Sequence, residues 1–235
     1  DTEDAGHNSL ARQESMNILV TSAESRLGKL IAEGLTHTHA VRQTDDPGVA
    51  SGETIVCELG HDKATDALCE GIDTVIHVCD PSSDLSDGEV VDYHSRKTYN
   101  LLNAASDAGV SHLVYVSSLS LFDSADADYE IDEQWAPPVT PDIEQLRYHI
   151  GEFVCREFAR ANVFPVTCMR FGEVVEGDPS NDQITESGFI QAVNAAVTKR
   201  PAGWSVFHVV SAGQHFLTGK AVKILDLDLS GRADA

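Results

Sequence analysis

The stretch from Met16 to Leu35 constrains the fold more than any other part of the chain. Met16 to Thr21 (MNILVT) is a short apolar run of the kind expected for a strand buried on both faces. Ser22 to Ser25 form a small polar turn. Leu27 to Leu35 (LGKLIAEGL) then repeats apolar residues at helical spacing, with Leu27, Leu30, Ile31 and Leu35 on one stripe. Strand, tight turn and helix in this order open a βαβ unit.

The alternation continues. Further strands are expected at Ala40–Thr44, Thr54–Leu59, Thr74–Val78, His112–Ser117, Pro165–Arg170 and Ser205–Val210. Helices are expected at Lys63–Glu70, Val90–Ala108, Ile143–Ala161 and Gly188–Thr198. Asp45-Asp46-Pro47-Gly48 is a strong turn signal, and Pro137, Pro138 and Pro141 break the chain before the Ile143 helix. Such a rhythm implies parallel strands, and right-handed crossovers leave few topologies besides a doubly wound α/β sheet of the dinucleotide-binding, Rossmann-like type. Residues 1–15 are polar and acidic, with neither a basic n-region nor an apolar h-region, so they read as a disordered extension rather than a signal peptide. Residues 16–235 read as one domain.

Charge and cysteine usage narrow the function classes. The formal net charge is −22, which repels nucleic acid and anionic membranes. The acids are spread along the chain and lysine is scarce, as on a solvated surface adapted to salt. No apolar run approaches the roughly 20 residues that a membrane span needs. Cys57, Cys69, Cys79, Cys155 and Cys168 are odd in number and form no C-x-x-C pair, which suits buried thiols in a reducing cytoplasm better than disulfides or zinc. The histidines show no paired metal-ligand spacing.

Four collinear segments carry a family resemblance: NILVTSAESRLGKLIAEGL, DTVIHVCD, NLLNAASDAGVSHLVYVSSLSLF and FARANVFPVTCMRFGEV. Together they resemble the extended short-chain dehydrogenase/reductases, which include nucleotide-sugar epimerases and dehydratases. The resemblance runs from Met16 to about Glu176. It implies that residues 172–235 form a shortened substrate lobe, and that the Val90–Ala108 and Ile143–Ala161 helices match those of a four-helix homodimer interface; packing of their apolar faces on the sheet is the alternative.

For the cofactor, the resemblance points to Thr21, Ser22, Ser25, Arg26, Leu27 and Gly28, which occupy the family's TGxxGxxG turn. In that turn the glycines let the backbone approach a pyrophosphate seated on a helix N-terminus. Only Gly28 of the three glycines is present; Ser22 and Ser25 replace the others, and Glu24 adds a negative charge. By the same resemblance Asp45 accepts hydrogen bonds from the adenosine ribose, favouring NAD over NADP, and Glu58 and Leu59 touch adenine. His77, Val78 and Cys79 run past the pyrophosphate and ribose, followed by the additional acid Asp80.

The family's chemistry uses Ser or Thr to orient the substrate, Tyr as general acid/base, and Lys four residues later to lower the Tyr pKa. Ser118 matches the Ser. One register places Glu144 at the Tyr position and Tyr148 at the Lys position; the other makes Tyr148 the catalytic Tyr, with Glu152 where Lys belongs. Arg147 adjoins Tyr148 but projects about 100° away on a helix. No Lys lies between Lys97 and Lys199, so neither register yields Tyr-x-x-x-Lys.

Two functional expectations result. The joint changes in loop and catalytic pair favour a pseudoenzyme of this fold, which binds a dinucleotide or other small molecule, or acts as a scaffold. Loss of NAD binding is part of that reading. The alternative is an active NAD-dependent oxidoreductase or nucleotide-sugar epimerase with a non-standard catalytic set, in which Ser118 orients the substrate and Tyr148, or a residue such as His149, moves the proton.

Overall fold

The computed structural model describes residues 15–81, 85–211 and 215–229. Residues 1–14, which hold most of the expected extension, lie outside the described residues.

Seven parallel strands form the main sheet in the order β3-β2-β1-β4-β5-β6-β9. They are β1 (Asn17–Val20), β2 (Ala40–Asp45), β3 (Ile55–Val56), β4 (Thr74–His77), β5 (His112–Ser118), β6 (Val166–Phe171) and β9 (Trp204–Val209). β7 (Glu173–Val175) and β8 (Gln183–Thr185) pair separately, also in parallel. The order reverses beside β1, so the crevice at the carboxyl ends of β1 and β4 is where such a sheet binds ligands.

The helices are α1 (Arg26–Leu35), α2 (Lys63–Cys69), α3 (Asp87–Asp92), α4 (Thr98–Asp107), α5 (Ile143–Arg160), α6 (Glu186–Lys199) and α7 (Gly219–Leu225). The central strands are buried on both faces, which is why their sequences lack polar alternation. One apolar layer packs α1, α6 and α7 against the sheet around Ile31, Phe189 and Phe207. The other packs α2, α4 and α5 around Leu68, Leu101, Tyr115 and Cys155.

Three local features differ from expectation. The single helix expected over Val90–Ala108 is α3 and α4 joined by a π-helical turn, Tyr93–Lys97. β3 is only two residues long at the sheet edge. β7, β8 and α7 are additions that periodicity did not reveal. All five cysteines are buried and unpaired. Among the described residues no helix is long and apolar enough to cross a membrane, and no group of three or more His, Cys, Asp or Glu is placed to hold a metal.

Candidate active site

The turn after β1 carries Ser22 and Ser25 where the resemblance has glycines. Ser22 adopts a left-handed φ of 47°, the conformation a glycine would take most readily. Its hydroxyl holds that geometry, accepting from Asp80 N at 3.1 Å and bonding the Tyr93 hydroxyl at 3.1 Å. Ser25 caps α1, accepting from Gly28 N at 3.1 Å. Gly28 must remain glycine, since a Cβ there would lie 2.1 Å from Ser22 O. Thr21 is buried, and its hydroxyl joins His77 Nδ1 at 2.8 Å and accepts from Val78 N at 3.2 Å.

The charges feared in this turn are directed elsewhere. Glu24 swings to the loop after β2, accepting from Ser51 N, Ser51 Oγ and Thr54 Oγ1, with Lys29 at 3.2 Å. The donors from Ser51, Thr54 and Lys29 hold its carboxyl down at about 2. Asp45 is buried; its two oxygens accept from Glu24 N and Asp46 N, both at 2.8 Å. Burial raises its pKa against the pull of those amides. Asp45 therefore ties the β1 turn to the end of β2 instead of presenting a free carboxylate. Leu59 and Cys79 are likewise buried, whereas Glu58 is exposed.

A cleft of about 590 Å³ opens at the carboxyl ends of β4, β5 and β6. It brings together Arg26 and Leu27 from the start of α1, Val78, Ser118 and Tyr148. Thr21, Ser22, Ser25, Gly28, Asp45, Glu58, Leu59, His77 and Cys79 do not line this cleft. Ser118 Oγ accepts from Ser120 N at 3.0 Å, which leaves its hydrogen free to donate into the cleft.

The helix α5 corrects two expectations. Arg147 does not point away from Tyr148: its guanidinium carbon lies 4.7 Å from the ring centroid, and Nη2 donates to the phenol oxygen at 3.1 Å. A long side chain can fold back across one residue even though the Cα–Cβ bonds diverge. Glu152 does not approach the phenol as the missing lysine would. It turns inward to a bidentate ion pair with Arg170 at 2.8 and 2.7 Å and accepts from Ser117 Oγ at 2.7 Å. Glu144 stands exposed in the first turn, 3.0 Å from Arg147. Burial raises the Tyr148 pKa above its usual value; Arg147 works in the opposite direction. Arg147 Nε is buried without a hydrogen-bond partner among the described residues.

Residues 18–215 match the family model described as NAD dependent epimerase/dehydratase family. The chain belongs to that family. Among curated proteins, uronate dehydrogenase of Pseudomonas syringae pv. tomato is 29% identical over 107 residues, which is 43% of this chain and 39% of that protein. The match thus spans well under half the length of the curated relative. Among solved structures, a mutant of uronate dehydrogenase from Agrobacterium tumefaciens complexed with NAD superposes with a TM-score of 0.78 at 20% identity, covering 94% of this chain and 86% of that one. Glucuronic acid dehydrogenase from Chromohalobacter salexigens gives 0.76 at 21% identity, covering 94% and 85%. For this family member the structural likenesses establish the fold.

Proposed function

We propose that this family member is an NAD-dependent oxidoreductase acting on a hydroxyl or carbonyl group of a small sugar-like substrate, with Ser118, Tyr148 and Arg147 as its catalytic set. The observation that carries the reading is the Arg147 guanidinium on the Tyr148 phenol, in the same cleft as Ser118. A cation bonded to the phenol oxygen favours the phenolate, which is the electrostatic task that lysine performs in the family pattern. The uronate dehydrogenase relatives support this reading over a scaffold.

The residues fit the cofactor. The left-handed Ser22 preserves the turn, and Arg26 and Leu27 at the start of α1 face the cleft where a pyrophosphate would meet helix N–H groups. Arg147, whose Nε is buried without a hydrogen-bond partner among the described residues, bonds Tyr148 of the cleft wall. NAD, when bound, supplies the hydride acceptor. Ser118 then donates a hydrogen bond to the reacting substrate oxygen, and Tyr148 takes its proton during oxidation or returns it during reduction. Arg147 stabilises the phenolate form of Tyr148.

The test is NADH formation with a panel of hydroxylated substrates, for the natural chain and for Tyr148→Phe. Turnover that Tyr148→Phe reduces by about a hundredfold or more supports the assignment. Turnover unchanged in that variant removes Tyr148 from the chemistry. Thermal unfolding with NAD+ separates binding from turnover. Ligand at about 100 times its Kd adds roughly 2.7 kcal/mol, or about 5–10 °C for a chain of this size. A shift without turnover would favour the non-catalytic dinucleotide binder.

A further inference from the structure

The end of β2 and the helical segment after β4 are strapped together across the carboxyl end of β1, the strand that lies between them. Lys97 closes the π-helical turn of that segment, and its Nζ reaches Asp46, the residue after β2, at 2.8 Å. The two side chains are only 19% and 15% exposed, so this pair is shielded more than an open surface pair. The same Nζ lies 4.8 Å from the ring centroid of Tyr93, whose hydroxyl bonds Ser22 Oγ in the turn after β1 at 3.1 Å. Asp46, Lys97, Tyr93 and Ser22 thus form a continuous bridge over the switch point of the sheet. The adenosine half of a dinucleotide runs between the same ends: the turn after β1 takes the phosphates, and the acid at the end of β2 takes the ribose. That acid, Asp45, adjoins the bridge and has both oxygens on backbone amides. Of the residues expected to meet the cofactor, Arg26, Leu27 and Val78 line the open cleft, whereas Ser22, Asp45, Glu58 and Leu59 do not.

We propose that the Lys97–Asp46 ion pair is a latch on the adenosine half of the crevice, which parts before NAD is seated. The inference rests on the reading of this crevice as an NAD site. A latch lowers the apparent affinity by the fraction of molecules in which it is open; with about one open molecule in ten, binding is weakened about tenfold. Salt screens the pair, so NAD+ binds more tightly as KCl rises, the reverse of a site that holds phosphates by free cations. The net charge of −22 also repels a dinucleotide and gives a salt trend of the same sign. Lys97→Met/Asp46→Asn separates the two effects, because it removes one charge of each sign and leaves the net charge unchanged.

The experiment is calorimetric titration of NAD+ into the natural chain and into the double variant, at about 0.1 M and about 1 M KCl. The double variant is expected to bind about tenfold more tightly at low salt, and the gap should close to within about threefold at high salt. Thermal melts without ligand check that both chains are folded at the titration temperature. If the double variant is not, Lys97→Gln against Arg96→Gln makes the same comparison, since the two lose the same charge one residue apart and Arg96 pairs only with Asp92; Lys97→Gln should then bind about tenfold more tightly. Equal affinities at low salt overturn the latch and leave the cofactor site standing. Weaker binding without the pair overturns it as well, since Lys97 would then hold the cofactor. So does a gap that KCl does not narrow. Neither heat of binding nor thermal shift with NAD+ in any of the chains overturns the cofactor reading itself, and the latch with it.

Discussion

The guanidinium of Arg147 and the phenol of Tyr148 form a stacked and hydrogen-bonded pair, 4.7 Å from guanidinium carbon to ring centroid and 3.1 Å from nitrogen to oxygen, although the two residues are chain neighbours. Burial holds the phenol above its usual pKa despite this cation. If Tyr148 is the base, its active form is scarce at neutral pH. The oxidation rate should then climb about tenfold per pH unit from pH about 7 to about 9. Arg147→Met should lower the rate by tenfold or more and move the climb to higher pH, whereas Arg147→Lys should recover part of both. A flat pH–rate profile would contradict the role.

The ion pair between Glu152 and Arg170 is buried on both sides. Removing one partner leaves an uncompensated charge in the interior, so Arg170→Met should cost about 3–5 kcal/mol of stability. Arg170→Met combined with Glu152→Leu should recover most of that loss, because the pair itself offsets little more than its own desolvation. Urea unfolding of the natural chain, both single variants and the double variant closes the cycle. Additive losses would show that the two residues are not coupled.

His77, His94, His112 and His208 are buried, and burial pushes each down to about 3. Their folded pKa values lie below the unfolded value near 6.5, so the unfolded chain binds more protons between these limits. Stability should therefore fall as pH drops from about 6.5 towards about 3, by roughly 1 kcal/mol per histidine for each pH unit at most. The raised carboxyls of Asp45 and Asp80 work against this trend. His112→Gln, which keeps a neutral group for Thr167 Oγ1, should flatten the acid limb in pH-dependent melts. A limb of unchanged slope would remove His112 from the account.

The net charge of −22 opposes compaction at low ionic strength. Raising KCl from about 0.1 M to about 2 M shortens the screening length from about 10 Å to below about 3 Å, and Tm should rise by several degrees. Scanning calorimetry across that range tests it. A Tm that falls with KCl would mean that specific ion pairs such as Lys97–Asp46, at 2.8 Å, outweigh the general repulsion.

The doubly wound order was legible because strands buried on both faces and amphipathic helices leave opposite signatures in the sequence. β7 and β8 were not, since three residues each are too few to establish a period. The site was legible as positions along the chain but less so as geometry. Ser118 and Tyr148 share a cleft as expected, yet Asp45 holds the turn together instead of facing open space. Arg147, expected to project about 100° away from Tyr148, lies on its ring, because the direction of a Cα–Cβ bond does not fix where a flexible guanidinium ends. Asp80, Asp123, Glu173 and Asp182 come from segments far apart in sequence, and only the fold brings them to one opening.

The π-helical turn makes the chain sensitive to length at one place. Tyr93 and His94 are consecutive, yet both are buried, one bonded to Ser22 and the other to Cys79. The π-helical turn holds one residue more than an α-helical turn would, so it absorbs that residue without turning α4 away from the sheet. Deleting a single residue between 93 and 97 should therefore leave Leu101, Leu102 and Ala105 in their places against the sheet, but Tyr93 and His94 could not both keep their bonds to Ser22 and Cys79. A change of length in this buried helix would thus be felt at the turn after β1, a strand far from it in sequence.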